Sequence, residues 1–256
     1  MYRFLGGRSI PAYGLCIAVG CCAGILVGYY LVKRNHLSTD DFLLSAVYTA
    51  AGGFVGAKLL YLWVSRESIQ WDKFFELEYL KMIMYGGFVF YGGLAGGLLG
   101  LWCAGKIHRI FVQDYIYICI PVIPLIHGFG RIGCGLAGCC YGIPYDGIFA
   151  VEYTHSVAAP LNTPLFPVQY LEACLNFVIF LVLLFLVIKR GSNIQNFYLY
   201  LILYCVMRFG LEFLRYDKTE RGFWNGFSTS QWISIIIFTL ISVLMIAHKK
   251  IQGIRE

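Results

Sequence analysis

The sequence predicts an all-α integral membrane protein of about seven transmembrane helices, a single polytopic domain over residues 1–256 with a broken, glycine-rich segment near residues 127–142. Three observations lead there. Hydrophobic residues make up 59% of the chain and charged residues only 13%, where a soluble domain is about a quarter charged, and mean hydropathy is +0.70. The apolar residues form continuous runs of about 20, the length of a helix that crosses the hydrocarbon layer; a β-barrel would show alternating runs of about ten. No separate soluble domain fits between the runs, and no internal repeat of the kind that marks many transporters is evident.

The runs fall at about 12–32, 42–64, 85–104, 112–131, 168–188, 197–215 and 230–248. Arg3 and Arg8 precede the first, which continues through Leu26, Val27 and Tyr29 to Lys33-Arg34 without a small-residue cleavage site. It is too long for a signal-peptide core and reads as a retained span. The third run carries Gly86-Gly87, Gly92-Gly93, Gly96-Gly97 and Gly100, which suit either close helix packing or a widened helix beside a cavity. Between the fourth and fifth runs, residues 140–166 hold no Lys or Arg, and Pro144, Pro160, Pro164 and Pro167 oppose a regular helix there.

The basic pairs Lys33-Arg34, Lys106/Arg109, Lys189-Arg190 and Lys249-Lys250 occupy alternate connections. The positive-inside rule then places the N-terminus outside and the C-terminus in the cytoplasm. Arg66, Lys73, Lys81, Lys218 and Arg221 on the opposite connections make the total nearly even. Because the net charge of +6 resides in such pairs beside apolar runs, it reflects membrane topology, and no nucleic-acid partner is expected.

Ionisable groups inside spans are costly and mark function by default, which singles out Lys58, His127, Arg131, Arg208, Glu212 and Arg215. His127 and Arg131 are four apart; Arg208, Glu212 and Arg215 follow at four and three, so each set shares a helical face. Arg208 and Glu212 could neutralise one another while Arg215 snorkels to the interface. Arg131 would still leave excess buried positive charge, and the abundant anion at headgroup depth is a lipid phosphate, which guanidinium groups bind bidentately. The stretch HGFGRIGCGLAGCCYG, from His127 to Gly142, can break the fourth span and turn Arg131 and backbone amides toward a ligand.

Seven of the ten cysteines lie inside apolar runs, where a free thiol packs as a small hydrophobe. Cys134, Cys139 and Cys140 leave three readings open: packing thiols, an external disulfide, or a zinc site with His127 as fourth ligand. Their spacing lacks a paired knuckle, and neither a metal nor another cofactor is expected.

At this stretch the chain resembles the prolipoprotein diacylglyceryl transferase family, whose hallmark is a Gly-Arg-x-Gly-Asn-Phe-x-Asn-x-Glu run followed closely by glycine. Gly130, Arg131, Gly133 and Gly142 match it. Other matches follow in family order: Tyr13-Gly14, Gly86-Gly87, Gly92-Gly93 after Tyr91, Pro167-Val168-Gln169 with Glu172, Arg208-Phe209 with Glu212 and Arg215, and Ser230-Gln231-Trp232 with Ser234. The resemblance covers nearly the whole chain.

It implies transfer of a diacylglyceryl group from phosphatidylglycerol to the lipobox cysteine of a prolipoprotein signal peptide, forming a thioether at the outer face of the bacterial cytoplasmic membrane. Arg131, Arg208 and Arg215 would clamp the phosphate and Glu212 would orient an arginine. Tyr13 and Gly142 would complete the substrate-binding set. The chain departs from the family at Cys134, Ala137 and Cys139, which replace two asparagines and the glutamate, and at Tyr91, which replaces a histidine. Proton transfer then falls to His127 as a relocated base and to Tyr91 as a hydroxyl donor to phosphate or thiol. Those departures also admit two other functions: a divergent headgroup transferase with another acceptor, or a non-catalytic phospholipid-binding protein or transporter.

Overall fold

A computed structural model of the chain describes residues 2–3, 9–10, 12–191, 193–216 and 222–252, with side chains from residue 12 to 246 except that of Tyr85. Lys218 and Arg221 lie outside the described residues, as do the side chains of Arg3, Lys249 and Lys250. Among the described residues the structure is all-α apart from isolated bridges and two short hairpins, β1 (Tyr2–Arg3) with β2 (Ser9–Ile10) and β3 (Phe223–Trp224) with β4 (Phe227–Ser228). The helices are α1 (Ala12–Arg34), α2 (Thr39–Val64), α3 (Leu77–Tyr85), α4 (Phe90–His108), α5 (Val112–Cys119), α6 (Val122–Ala137), α7 (Val168–Arg190), α8 (Ile194–Leu211) and α9 (Thr229–Gln252).

Helices α1, α2, α7, α8 with its terminal turn, and α9 are long and apolar enough to cross a membrane. The pair α5 and α6, bent by 55°, adds a sixth span if it crosses as one. The expected third span begins later, at Phe90, because the chain turns at Gly87, whose φ is +60°. The glycines and Lys106 of α4 dilute its hydropathy, and it is not among the helices that meet this measure. The broken glycine-rich element is the α5–α6 pair. Its break lies at Cys119–Val122, beside Pro121 and Pro124, which cannot donate to the helical ladder; His127 to Ala137 stay helical.

The described chain forms two compact units. Residues 32–116 make one, centred on α2 and α4. In lipid no hydrophobic force drives helices together, so close van der Waals contact must, and here it is backbone against backbone. A Cβ at Gly96 would lie 2.2 Å from the Gly52 carbonyl oxygen, and one at Gly56 would lie 2.3 Å from that of Gly92. Of the two readings of these glycines, close packing is the one observed. Lys58 belongs to the same unit: its Nζ donates to the carbonyls of Ile83 (2.8 Å), Gly86 (2.6 Å) and Gly87 (3.0 Å) and stands 4.1 Å from the Phe88 ring centroid. Its charge thus neutralises the carbonyl end of α3.

The other unit comprises residues 1–31 and 117–256. Here α1 and α7 press onto α6 at its glycines: a Cβ at Gly133 would meet Tyr13 and Cys16, and one at Gly135 would sit 2.6 Å from the Tyr170 ring. Helix α6 ends in a Schellman turn, with Gly138 at φ +71° and hydrogen bonds from Gly138 N to Gly135 O (3.3 Å) and from Cys139 N to Cys134 O (3.2 Å). The following proline-rich segment is irregular, as expected, and folds over its own small core of Tyr153, Ala159 and Leu165. Ser228 and Gln231 form a reciprocal capping box at the start of α9, through Gln231 N to Ser228 Oγ (3.2 Å) and Ser228 N to Gln231 Oε1 (3.0 Å).

Candidate active site

Helix α7 carries one polar face in an otherwise apolar span. Gln169, Glu172 and Asn176, spaced by three and four, are 1%, 1% and 0% exposed. Such a carboxylate survives in a bilayer only with cationic partners, and two elements supply them. From α6, Arg131 Nη2 lies 2.8 Å from Glu172 Oε2 and His127 Nε2 lies 3.6 Å from Oε1. From α8, Arg208 Nη1 lies 3.6 Å from Oε2. Glu172 is therefore the hub of the cluster.

Arg208 also meets Glu212 Oε2 at 3.1 Å, one turn along, and donates to Ser230 Oγ of α9 at 3.2 Å. Arg215 is buried just beyond the 3₁₀ turn Glu212–Leu214, fixed by backbone pairing with Gly142. Gly142 leaves no room for a side chain, since a Cβ there would lie 2.3 Å from the Phe166 carbonyl oxygen. Its neighbours complete the pairing, with Ile143 N bonded to Leu214 O (3.0 Å) and Tyr216 N to Tyr141 O (3.1 Å). Gly142 thus lies in close backbone contact with Arg215.

Three guanidiniums and two carboxylates leave this cluster one net positive charge. Arg131 is 8% exposed, and its Nε and Nη2 are buried without a hydrogen-bond partner. The Nη2 contact with Glu172 is an ion pair by distance but lies outside hydrogen-bond alignment. Buried guanidinium donors left unspent are expensive, and a planar fork of this kind matches the oxygens of a phosphate.

Around this centre, Gln169 Nε2 donates to Cys139 O (2.9 Å) and reaches Tyr153 Oη (3.4 Å), tying α7 to the segment after α6. Burial, with the neighbouring Tyr170, pushes the Tyr153 hydroxyl up to about 12, so it stays protonated near neutral pH. His127 packs against the Tyr204 ring, 5.7 Å between centroids. Tyr13 on α1 lies beside Gly133 with its side chain 45% exposed.

The structure therefore brings together His127, Arg131, Arg208 and Glu212, with Arg215, Gly142 and Tyr13 in the same unit. Tyr91 belongs to the other unit, at the start of α4, where it is 57% exposed and packs edge-on against Phe90. Sequence reasoning left Glu172 out of the site, although its signal was present: a single acid in an apolar span, with Gln169 and Asn176 on the same face.

A family model described as prolipoprotein diacylglyceryl transferase matches residues 2–247. The chain is 36% identical to a phosphatidylglycerol–prolipoprotein diacylglyceryl transferase of Clostridium tetani over 237 residues, which is 93% of this chain and 92% of the relative. It is 31% identical over 251 residues to phosphatidylglycerol–prolipoprotein diacylglyceryl transferase 2 of Clostridium perfringens, covering 98% and 95%. A relative of the same name as the first, from Dehalococcoides mccartyi, is 26% identical over 250 residues, covering 97% and 93%. With the match extending over all its apolar helices, the chain belongs to the prolipoprotein diacylglyceryl transferase family.

Proposed function

We propose that this chain transfers the diacylglyceryl group of phosphatidylglycerol to the lipobox cysteine of a prolipoprotein signal peptide, an early step of lipoprotein maturation. It works as one polytopic domain in the bacterial cytoplasmic membrane, with its N-terminus outside and its C-terminus in the cytoplasm. The observation that carries this reading is Arg131, buried with two unspent N–H donors in a cluster of one net positive charge.

In this mechanism the lipid phosphate lies against Arg131, within the field of Arg208 and Arg215. The cysteine sulfur attacks the glycerol carbon next to the phosphate, the carbon–oxygen bond breaks, and glycerol phosphate leaves with the bonding pair. Guanidinium donors already in place meet the negative charge that grows on that phosphate. His127 takes the thiol proton, and the Glu172 carboxylate, 3.6 Å away, stabilises the resulting imidazolium. Glu212 holds Arg208. Tyr13 and Gly142 serve substrate binding, directly or through Arg215, and Tyr91 acts as a hydroxyl donor that Tyr91→Phe tests.

Reconstituted protein supplied with phosphatidylglycerol and a lipobox peptide should yield a thioether adduct one diacylglyceryl group heavier. No adduct, under conditions in which another family member makes it, refutes the activity. Cys134, Ala137 and Cys139 at family polar positions favour a second reading, a headgroup transferase with a different acceptor. Such an enzyme would fail to complement a strain depleted of its own prolipoprotein transferase.

A further inference from the structure

Three groups that carry chemistry take no part in this mechanism: the thiols of Cys134, Cys139 and Cys140. Their sulfur atoms all lie within 4.8 Å of one another, and Cys139 Sγ lies 3.7 Å from Cys134 O. The Schellman turn brings this about. Cys139 N–H returns to Cys134 O, and Cys140, at φ +55°, reverses the chain, so residues five and six apart place their side chains together. Cys134 is buried and the other two are half-buried.

Two cations flank the triad. Arg131 Nη1 lies 3.7 Å from Cys134 Sγ, and both Arg131 and Arg215 act electrostatically on Cys140. Three thiolates about 2.3 Å from one tetrahedral ion stand about 3.8 Å apart, within reach of these sulfurs after small side-chain rotations. Among the described residues no other His, Cys, Asp or Glu joins the group, and His127 is turned to Glu172.

We propose that Cys134, Cys139 and Cys140 form a three-thiolate site for a thiophilic divalent cation of the zinc type, whose fourth position accepts the thiol of the acceptor cysteine. The fourth-ligand role rests on the proposed function above. The acceptor thiol passes its proton to His127 on binding the ion. Its metal-bound sulfur then forms the bond to the glycerol carbon as the carbon–oxygen bond breaks and the electron pair leaves with the phosphate. No atom changes oxidation state. An ion of this kind holds a thiolate beside Arg131, where the leaving phosphate is to be bound.

The test uses the full chain in lipid nanodiscs, reduced and stripped with a chelator, with Cd²⁺ alone as probe. One Cd²⁺ per chain should bind with a sulfur-to-metal charge-transfer band. Peptide mapping should show Cys134, Cys139 and Cys140 modified by N-ethylmaleimide in the stripped protein and protected once Cd²⁺ is added. The variant with Cys134→Ser, Cys139→Ser and Cys140→Ser should lose that equivalent. Unchanged labelling of the three thiols at saturating Cd²⁺ overturns the site, and this reading needs only the wild-type chain. A lipobox peptide should shift the band where its cysteine-to-serine analogue does not; equal spectra remove the fourth-ligand role. The same preparation is assayed for diacylglyceryl transfer. Transfer without protection sinks the metal site alone, and protection without transfer sinks the activity alone.

Discussion

Glu172→Gln removes one negative charge from the centre of the cluster while keeping the shape of the side chain. Unit charges at the observed separations of 2.8 Å to Arg131 and 3.6 Å to Arg208 attract by about 6 and about 5 kcal/mol at an effective dielectric of about 20. Much of that gross attraction offsets desolvation, so the measurable quantity is the cost of leaving buried guanidiniums uncompensated, about 3–5 kcal/mol. For a chain of this size that lowers the unfolding temperature by on the order of 10 °C. Thermal unfolding of detergent-solubilised protein, followed by circular dichroism, measures it. Phosphatidylglycerol should restore part of the loss, because its phosphate supplies the missing negative charge, whereas an uncharged diacylglycerol should not. An unfolding temperature within about 2 °C of wild type would mean that Glu172 is no hub and that the arginines are held by other means.

Arg131→Lys keeps the charge but loses the planar fork, and thioether formation should fall by about 10²–10³-fold; a rate near wild type refutes bidentate phosphate binding. His127→Gln should slow transfer by about 10²–10⁴-fold without unfolding the protein, and a normal rate in the same adduct assay removes it as proton acceptor. Gly96→Ala would place a Cβ 2.2 Å from the Gly52 carbonyl oxygen, so α2 and α4 must separate. The expected destabilisation is about 1–3 kcal/mol, read as a lower unfolding temperature; an unchanged one refutes the backbone contact.

The membrane class was legible because hydropathy and charge are summed along the chain, and the helix lengths followed from bilayer thickness. His127 and Arg131 could be paired from their spacing because α6 stays helical there. The same logic misplaced the emphasis on the glycines of that stretch. They read as a site of breakage, whereas the bend lies upstream at Pro121 and the glycines let α1 and α7 approach. Lys58 read as a functional charge, and in the structure it is spent on the carbonyl end of α3.

What the sequence determined by itself was the solvent, the helices, the excess of buried positive charge and, through ordered motifs, the family. Each depends on composition or on residues within a turn or two of one another. Only the tertiary structure decided that Glu172 joins His127, Arg131 and Arg208, that Gly142 pairs with Arg215, and that three cysteines converge at the end of α6. Those contacts depend on how α6, α7 and α8 pack and on a chain reversal at positive φ, and neither helical period nor hydropathy records the angle at which two helices meet.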